Sequence, residues 1–154
     1  MTKIVSRQLI DIDLDFNHKK EVIMHLASVL GKDGRLNDQE KFIQVVFARE
    51  DTLSTYIGNG IGIPHGKTDA VKEPSVAFVR TKNKIQWGDD ENEIANMIFL
   101  IAVPEHAASN THLKILATLS RRLMDENFRS ELKSASSKEE VFEKLKFLND
   151  STQK

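Results

Sequence analysis

Cysteine is absent from the 154 residues, which excludes disulfides, thiolate nucleophiles and thiolate metal sites together. Neither sign of charge is in excess: 22 Lys and Arg stand against 23 Asp and Glu, for a formal net charge of -1. With no basic stripe either, the electrostatic signature of a nucleic-acid partner is missing. Apolar runs are short. One of the longest, residues 98–103, falls far below the roughly 20 residues that a bilayer span needs. The N-terminus opens with polar Thr2 and Lys3 and carries no apolar signal core, so a cytoplasmic protein without membrane insertion is expected.

What is present is patterned. The length suits one domain, 1–154, with residues 149–154 expected as a frayed tail. Residues 3–12 are read as an entry strand or turn. Asn17 is placed to cap a helix over 18–30, with Val22, Ile23, Leu26, Val29 and Leu30 on one face and Gly31 and Gly34 ending it. Asn37 followed by Glu40 resembles a capping box for a second helix to about residue 50, with Phe42, Ile43, Val46 and Phe47 inward. The period then changes. Residues 75–81 alternate Val76 and Phe78 with a polar face, as a half-buried strand does, and residues 96–103 form an almost continuous apolar run that Pro104 stops. Beyond it, Ser109 or Asn110 can cap a helix to about residue 124 carrying Leu113, Leu116, Leu119 and Leu123. A short helix over 128–132 follows, and Ser136 with Glu139 forms another capping-box pattern before Val141, Phe142, Leu145 and Leu148. Strands in the middle and helices at both ends predict a single α/β three-layer domain, a central mixed β-sheet flanked by helices on both faces. The mixed sheet is inferred because segments 75–81 and 84–87 are too close for a helical crossover.

The most informative segment is Ile57-Gly58-Asn59-Gly60-Ile61-Gly62-Ile63-Pro64-His65-Gly66-Lys67. Its alternating glycines and isoleucines read as a short strand, and Pro64 rigidifies the lead-in to a loop that presents His65. Neither common phosphate-cradle spacing occurs in it. Among the five histidines, His18 and His25 read as surface and boundary positions of the first helix, and His106 as a solvated loop residue. His65 and His112 each follow a strand, where functional side chains concentrate in open α/β sheets, and His112 falls in the first turn of its helix, near the positive dipole end. No pattern supplies a third zinc ligand, and no nucleophile elbow is present. A nucleophilic imidazole that carries a phosphoryl group fits better, because a large fraction is unprotonated at cellular pH. An acid–base pair of His65 and His112 in a hydrolase is the weaker rival. Phosphoryl transfer needs a nearby cation. Arg49 is the candidate, although an arginine that satisfies its own helix C-terminus explains the position equally well. Lys67 reads as an exposed lysine beside a loop, and Arg121 and Arg122 as surface residues.

These residues resemble a known family. The run 55–67, with Arg49-Glu50 upstream and Thr111-His112-Leu113 downstream, is similar to the fructose/mannitol-type enzyme IIA family of the bacterial phosphoenolpyruvate-dependent sugar phosphotransferase system. The likeness continues through residues 99–104 and 113–132. It implies a single α/β domain with a mixed sheet, with His65 as the phosphorylated histidine, His112 as the second active-site histidine and Arg49 as the residue that steadies the phosphate. It further implies Nε2 as the attacking atom, no cofactor, the phosphorylated histidine carrier protein as donor, and a cysteine of a cognate enzyme IIB as acceptor. The transporting part must then be another chain. Gly62 departs from the pattern, since the family usually carries alanine there. The nitrogen-related regulatory branch shares Pro-His-Gly-Lys and Thr-His-Leu, but segments 84–89 and 123–128 look more like the sugar-transport members.

Overall fold

The computed structural model describes residues 3–107 and 110–150. The chain enters through a 3-10 turn at Arg7–Leu9 and continues as β1 (Ile10–Leu14), α1 (Lys19–Lys32) and α2 (Gln39–Thr52). Three short strands follow, β2 (Tyr56–Gly58), β3 (Ile61–Gly62) and β4 (His65–Thr68), and then two long ones, β5 (Ser75–Gln86) and β6 (Ile94–Pro104). Helices α3 (Thr111–Leu123), α4 (Glu126–Ser134) and α5 (Lys138–Leu145) end in a 3-10 turn at Lys146–Asn149. Among the described residues, none of these helices is long and apolar enough to cross a membrane.

The strand order is β1-β5-β6-β3-β2, with β4 pairing β6 beyond the end of β3. The sheet is mixed, as expected, but for a different reason. Segment 84–87 is no separate strand: β5 continues through it across an irregularity between Arg80 and Ile85. The mixture arises because β5 and β6 are antiparallel while β1 runs parallel to β5, and β3 and β4 parallel to β6.

Period-two patterning of the central strands builds two cores, one on each face. Val76, Phe78, Met97, Phe99, Ile101 and Val103 face α3, α4 and α5. Ala77, Val79, Ile98, Leu100 and Ala102 face α1 and α2. Phe78 and Phe99 are cross-strand partners with ring centroids 4.8 Å apart, both fully buried. Residues 75–79 are therefore buried on both faces, not half-buried as their alternation suggests.

Several helix starts lie one residue beyond the expected cap. His18, not Asn17, caps α1: its Nδ1 accepts from the amide of Lys20, and the Glu21 carboxylate closes the capping box. Asp38 rather than Asn37 caps α2, its carboxylate accepting from Lys41 N while the Asn37 amide donates to the carbonyl of Asp69. Ser137 rather than Ser136 caps α5 by accepting from Glu140 N. A charged or better-aimed neighbour outcompetes the residue beside it in each case. Gly31 lies inside α1, and Gly34 supplies the left-handed turn after it (φ 74°). Asn110 stands at the start of α3 without a side-chain cap, and Ser109 lies outside the described residues. The expected tail is shorter than 149–154. Asn149 is buried, accepting from Val5 N at 2.9 Å and donating to Val5 O at 3.1 Å, which ties the two ends of the chain together. Residues 151–154 lie outside the described residues.

Candidate phosphoryl-transfer site

The glycine-rich segment is a hairpin, not one strand. Gly58, Asn59 and Gly60 all have positive φ (91°, 56° and 78°), so the chain reverses at Asn-Gly, a pairing suited to tight hairpin turns. The returning limb then runs along β6 as two short parallel strands, from Ile61 opposite Met97 to Thr68 opposite Pro104. Pro64 interrupts them because it has no N–H, yet its carbonyl accepts from Ile101 N at 3.0 Å, so the path along β6 is kept. His65 is therefore the first residue of β4 rather than part of a loop. A strand bonded to the central one holds it, which positions the imidazole more firmly than a loop would.

Helix α2 is brought to this strand by Gly66. A Cβ there would meet Val46 Cγ2 at 3.1 Å, Val45 Cγ1 at 3.3 Å and Phe42 Cε1 at 3.4 Å. The missing side chain lets α2 lie close to β4, and the helix ends with Arg49 and Glu50 beside His65.

The ring of His65 is half-buried, and its Nδ1 lies 3.1 Å from the carbonyl oxygen of Ile63. A carbonyl only accepts, so Nδ1 must carry the proton and Nε2 the free lone pair. That bond leaves Nε2 as the ring nitrogen able to act as a nucleophile. Burial, with the nearby positive charges of Arg49 and His112, pushes the His65 pKa below its usual 6.5, against the opposing pull of the Ile63 carbonyl and the Glu50 carboxylate. The imidazole is thus neutral over most of the physiological range.

The three side chains singled out from the sequence are brought together, since Arg49 and His112 both act electrostatically on His65. Arg49 donates through Nη1 to the carbonyl of Leu53, the C-cap of α2, at 2.7 Å. The helix-end reading of Arg49 thus applies, and its charge also acts on His65. His112 lies in the first turn of α3. Its Nδ1 is buried without a hydrogen-bond partner among the described residues, a polar atom still to be satisfied. The other histidines lie elsewhere: His18 caps α1, His25 bonds Asp11 at 2.8 Å, and His106 is exposed. Arg122 stacks on Phe147, with its Cζ 4.1 Å from the ring centroid.

Sequence reading passed over the polar support behind the site. Glu50 is only 4% exposed, and its carboxylate accepts from Thr55 N at 2.8 Å, from Thr55 Oγ1 at 2.6 Å and from Lys19 Nζ at 3.4 Å. The Thr55 hydroxyl in turn accepts from Trp87 Nε1 at 3.0 Å. The signals available were an acid directly after Arg49 and the single tryptophan of the chain, but nothing local links residues 32 apart in sequence.

Comparison with known proteins bears on the family and the fold. The chain is 36% identical, over 93% of its length, to the PTS system fructose-specific EIIABC component of Bacillus subtilis (strain 168), a much longer protein of which it spans 22%. Its fold matches the nitrogen regulatory protein IIA-Ntr from Neisseria meningitidis with a TM-score of 0.83 and 30% identity, covering 92% of this chain and 96% of that one. It also matches a chain from the Escherichia coli complex of enzyme IIAMTL with phosphorylated enzyme IIBMTL, with a TM-score of 0.80, 26% identity and coverage of 92% and 96% respectively. Residues 3–147 match the family described as phosphoenolpyruvate-dependent sugar phosphotransferase system, EIIA 2, and it is to this family that the chain belongs.

Proposed function

We propose that the protein relays a phosphoryl group through Nε2 of His65, from the phosphorylated histidine carrier protein to a cysteine of a cognate enzyme IIB. The observation that carries this reading is the Nδ1 bond to the Ile63 carbonyl, which leaves one ring nitrogen free. In the first step the Nε2 lone pair attacks phosphorus, the donor's N–P bond breaks, and its electron pair returns to the donor imidazole. In the second step the acceptor thiolate attacks phosphorus, the new N–P bond breaks, and the pair returns to Nε2. Arg49 offsets charge on the equatorial oxygens, and the His112 ring, in the first turn of α3, is the second group that can contact them.

Donor and acceptor must both reach one imidazole, so they share one face. Of the five large exposed apolar side chains among the described residues, four, Leu53, Ile57, Leu113 and Met124, are the ones we assign to that face. Leu53 holds Arg49 through its carbonyl, Leu113 adjoins His112, and Ile57 and Met124 line one cleft of about 190 Å³ beside the hairpin. Such a patch suits transient contacts with an apolar centre and a polar rim. Fructose is the first sugar to test, because a relative of the chain is named for it.

The test is incubation with phosphoenolpyruvate, enzyme I and the histidine carrier, followed by intact mass, beside His65→Ala. One phosphoryl group gained by the wild type alone, and lost on adding a IIB, is the expected result. No gain in either protein overturns the relay. A gain in both moves the site to another histidine, His112 first. A phosphoryl group kept in the presence of IIB replaces transport with a regulatory, nitrogen-type role that works by phosphorylation-dependent binding.

A further inference from the structure

Behind His65 an unbroken series of hydrogen bonds leads away from the surface. The ring Nδ1–H donates to Ile63 O; Ile63 N–H donates to Thr55 O at 3.1 Å; Thr55 N–H and hydroxyl both donate to Glu50. Thr55 is the hub, and the indole N–H of Trp87 is its remaining partner. Trp87 is fully buried. Its carbonyl accepts from Lys19 Nζ at 2.8 Å and from Ser54 Oγ at 3.0 Å, so the residue is held from the backbone side as well.

The indole also occupies a particular space. A Cβ on Gly62 would lie 2.7 Å from both Cε2 and Nε1 of Trp87 and 2.9 Å from Cδ1. These distances are below any normal carbon contact, and the atoms met belong to a rigid ring pinned at both ends. The backbone of Gly62 is not in the left-handed region. Its requirement for glycine is therefore one of space: the indole lies where a methyl group would be, three residues before His65.

We propose that Trp87 is a positioning residue for His65, its indole seated against Gly62 and bonded to Thr55 so that the Thr55–Ile63–His65 series keeps Nε2 free and aimed. This inference rests on the relay reading for its rate measurement, but not for its spectroscopic one. The two residues are coupled by space, and a methyl group at Gly62 should be tolerated only where Trp87 has been made smaller. The acid at the far end, Glu50, fixes Thr55 and thereby the hub on which the indole acts.

The experiment measures phosphoryl transfer from the histidine carrier and the His65 tautomer, by nitrogen-15 NMR of the imidazoles, in wild type, Gly62→Ala, Trp87→Phe, Trp87→Leu and Gly62→Ala/Trp87→Leu. Gly62→Ala is expected to slow transfer roughly tenfold or more, the scale of a misplaced reacting group, and to reduce the Nδ1–H population of His65. Trp87→Phe, which keeps an aromatic ring in place but loses the five-membered ring with its N–H, should lower the maximal rate several-fold with an unchanged KM for the carrier. In the double variant the methyl group should cost almost nothing relative to Trp87→Leu, in rate and in tautomer population alike, and a packing defect unrelated to His65 would leave the tautomer unmoved in all of these variants. Wild-type rate and tautomer in both Gly62→Ala and Trp87→Phe would overturn the proposal. If the wild type accepts no phosphoryl group, the relay reading fails, while the tautomer measurement still decides whether Trp87 positions His65.

Discussion

Strands β5 and β6 and the ribbon formed by β2, β3 and β4 belong to one sheet, yet they are held by different forces. The long central pair is apolar on both faces, and its residues are sealed between two helical layers. The ribbon has strands of only 3, 2 and 4 residues, with glycine at several positions and proline between two of them. It takes its path from β6 and its fine placement from Glu50, Thr55 and Trp87. Apolar burial is strong but non-directional. Buried polar groups are directional, and costly when left unmatched. A residue that must present one nitrogen in one direction is thus built on the second kind of support and anchored to the first.

Substitutions separate the two. Phe99→Ala, in the central pair, should cost about 3–5 kcal/mol, read as a lower denaturant midpoint, while the fraction that remains folded keeps the wild-type His65 tautomer. Glu50→Gln should cost about 2 kcal/mol, since it weakens charge-assisted bonds to Thr55 and removes the charge paired with Lys19; unlike Phe99→Ala, it should also slow phosphoryl transfer in fully folded protein. Asn59→Ala places a residue poorly suited to positive φ in the hairpin turn and should cost about 1 kcal/mol, with hydrogen exchange quickened at β2 and β3 but not at β5.

The smallest effect is the pH dependence. The folded-state pKa of His65 is below the unfolded value of 6.5, so the unfolded chain binds the proton more readily. Its contribution to stability is complete above pH 6.5 and is lost as pH falls through the lowered native value. The inflection of phosphoryl acceptance should likewise lie below pH 6.5. Arg49→Ala removes one of the charges that depress this pKa and should move the inflection upward. An unchanged inflection would mean that burial and the remaining neighbours set it without Arg49.

Much of the central region was legible because its cause is local. A run such as Met97 to Val103 is a buried strand on composition alone, and every helix start but that of α3 is signalled by a side chain within a few residues of the amide it caps. The errors there are single-residue shifts between adjacent cap candidates, as at Asn17 and His18. The ribbon was less legible. Its Asn-Gly reversal was read through as a strand, because alternating isoleucines mimic period two. Histidines 65 and 112 and Arg49 are candidates by residue type and setting. Thr55 and Trp87 were not, since their importance lies in a contact between distant segments that leaves no periodic trace.

The bond from His65 Nδ1 to Ile63 also bears on the departure of the phosphoryl group. With the proton retained on Nδ1, the group that leaves phosphorus in the second step is a neutral imidazole rather than an imidazolate anion. Within the proposed relay, His65 neither gains nor loses a proton at any point, in either direction. A carrier built this way is reversible by design, and the direction of flow is set by the donor and the acceptor, not by the acidity of the medium.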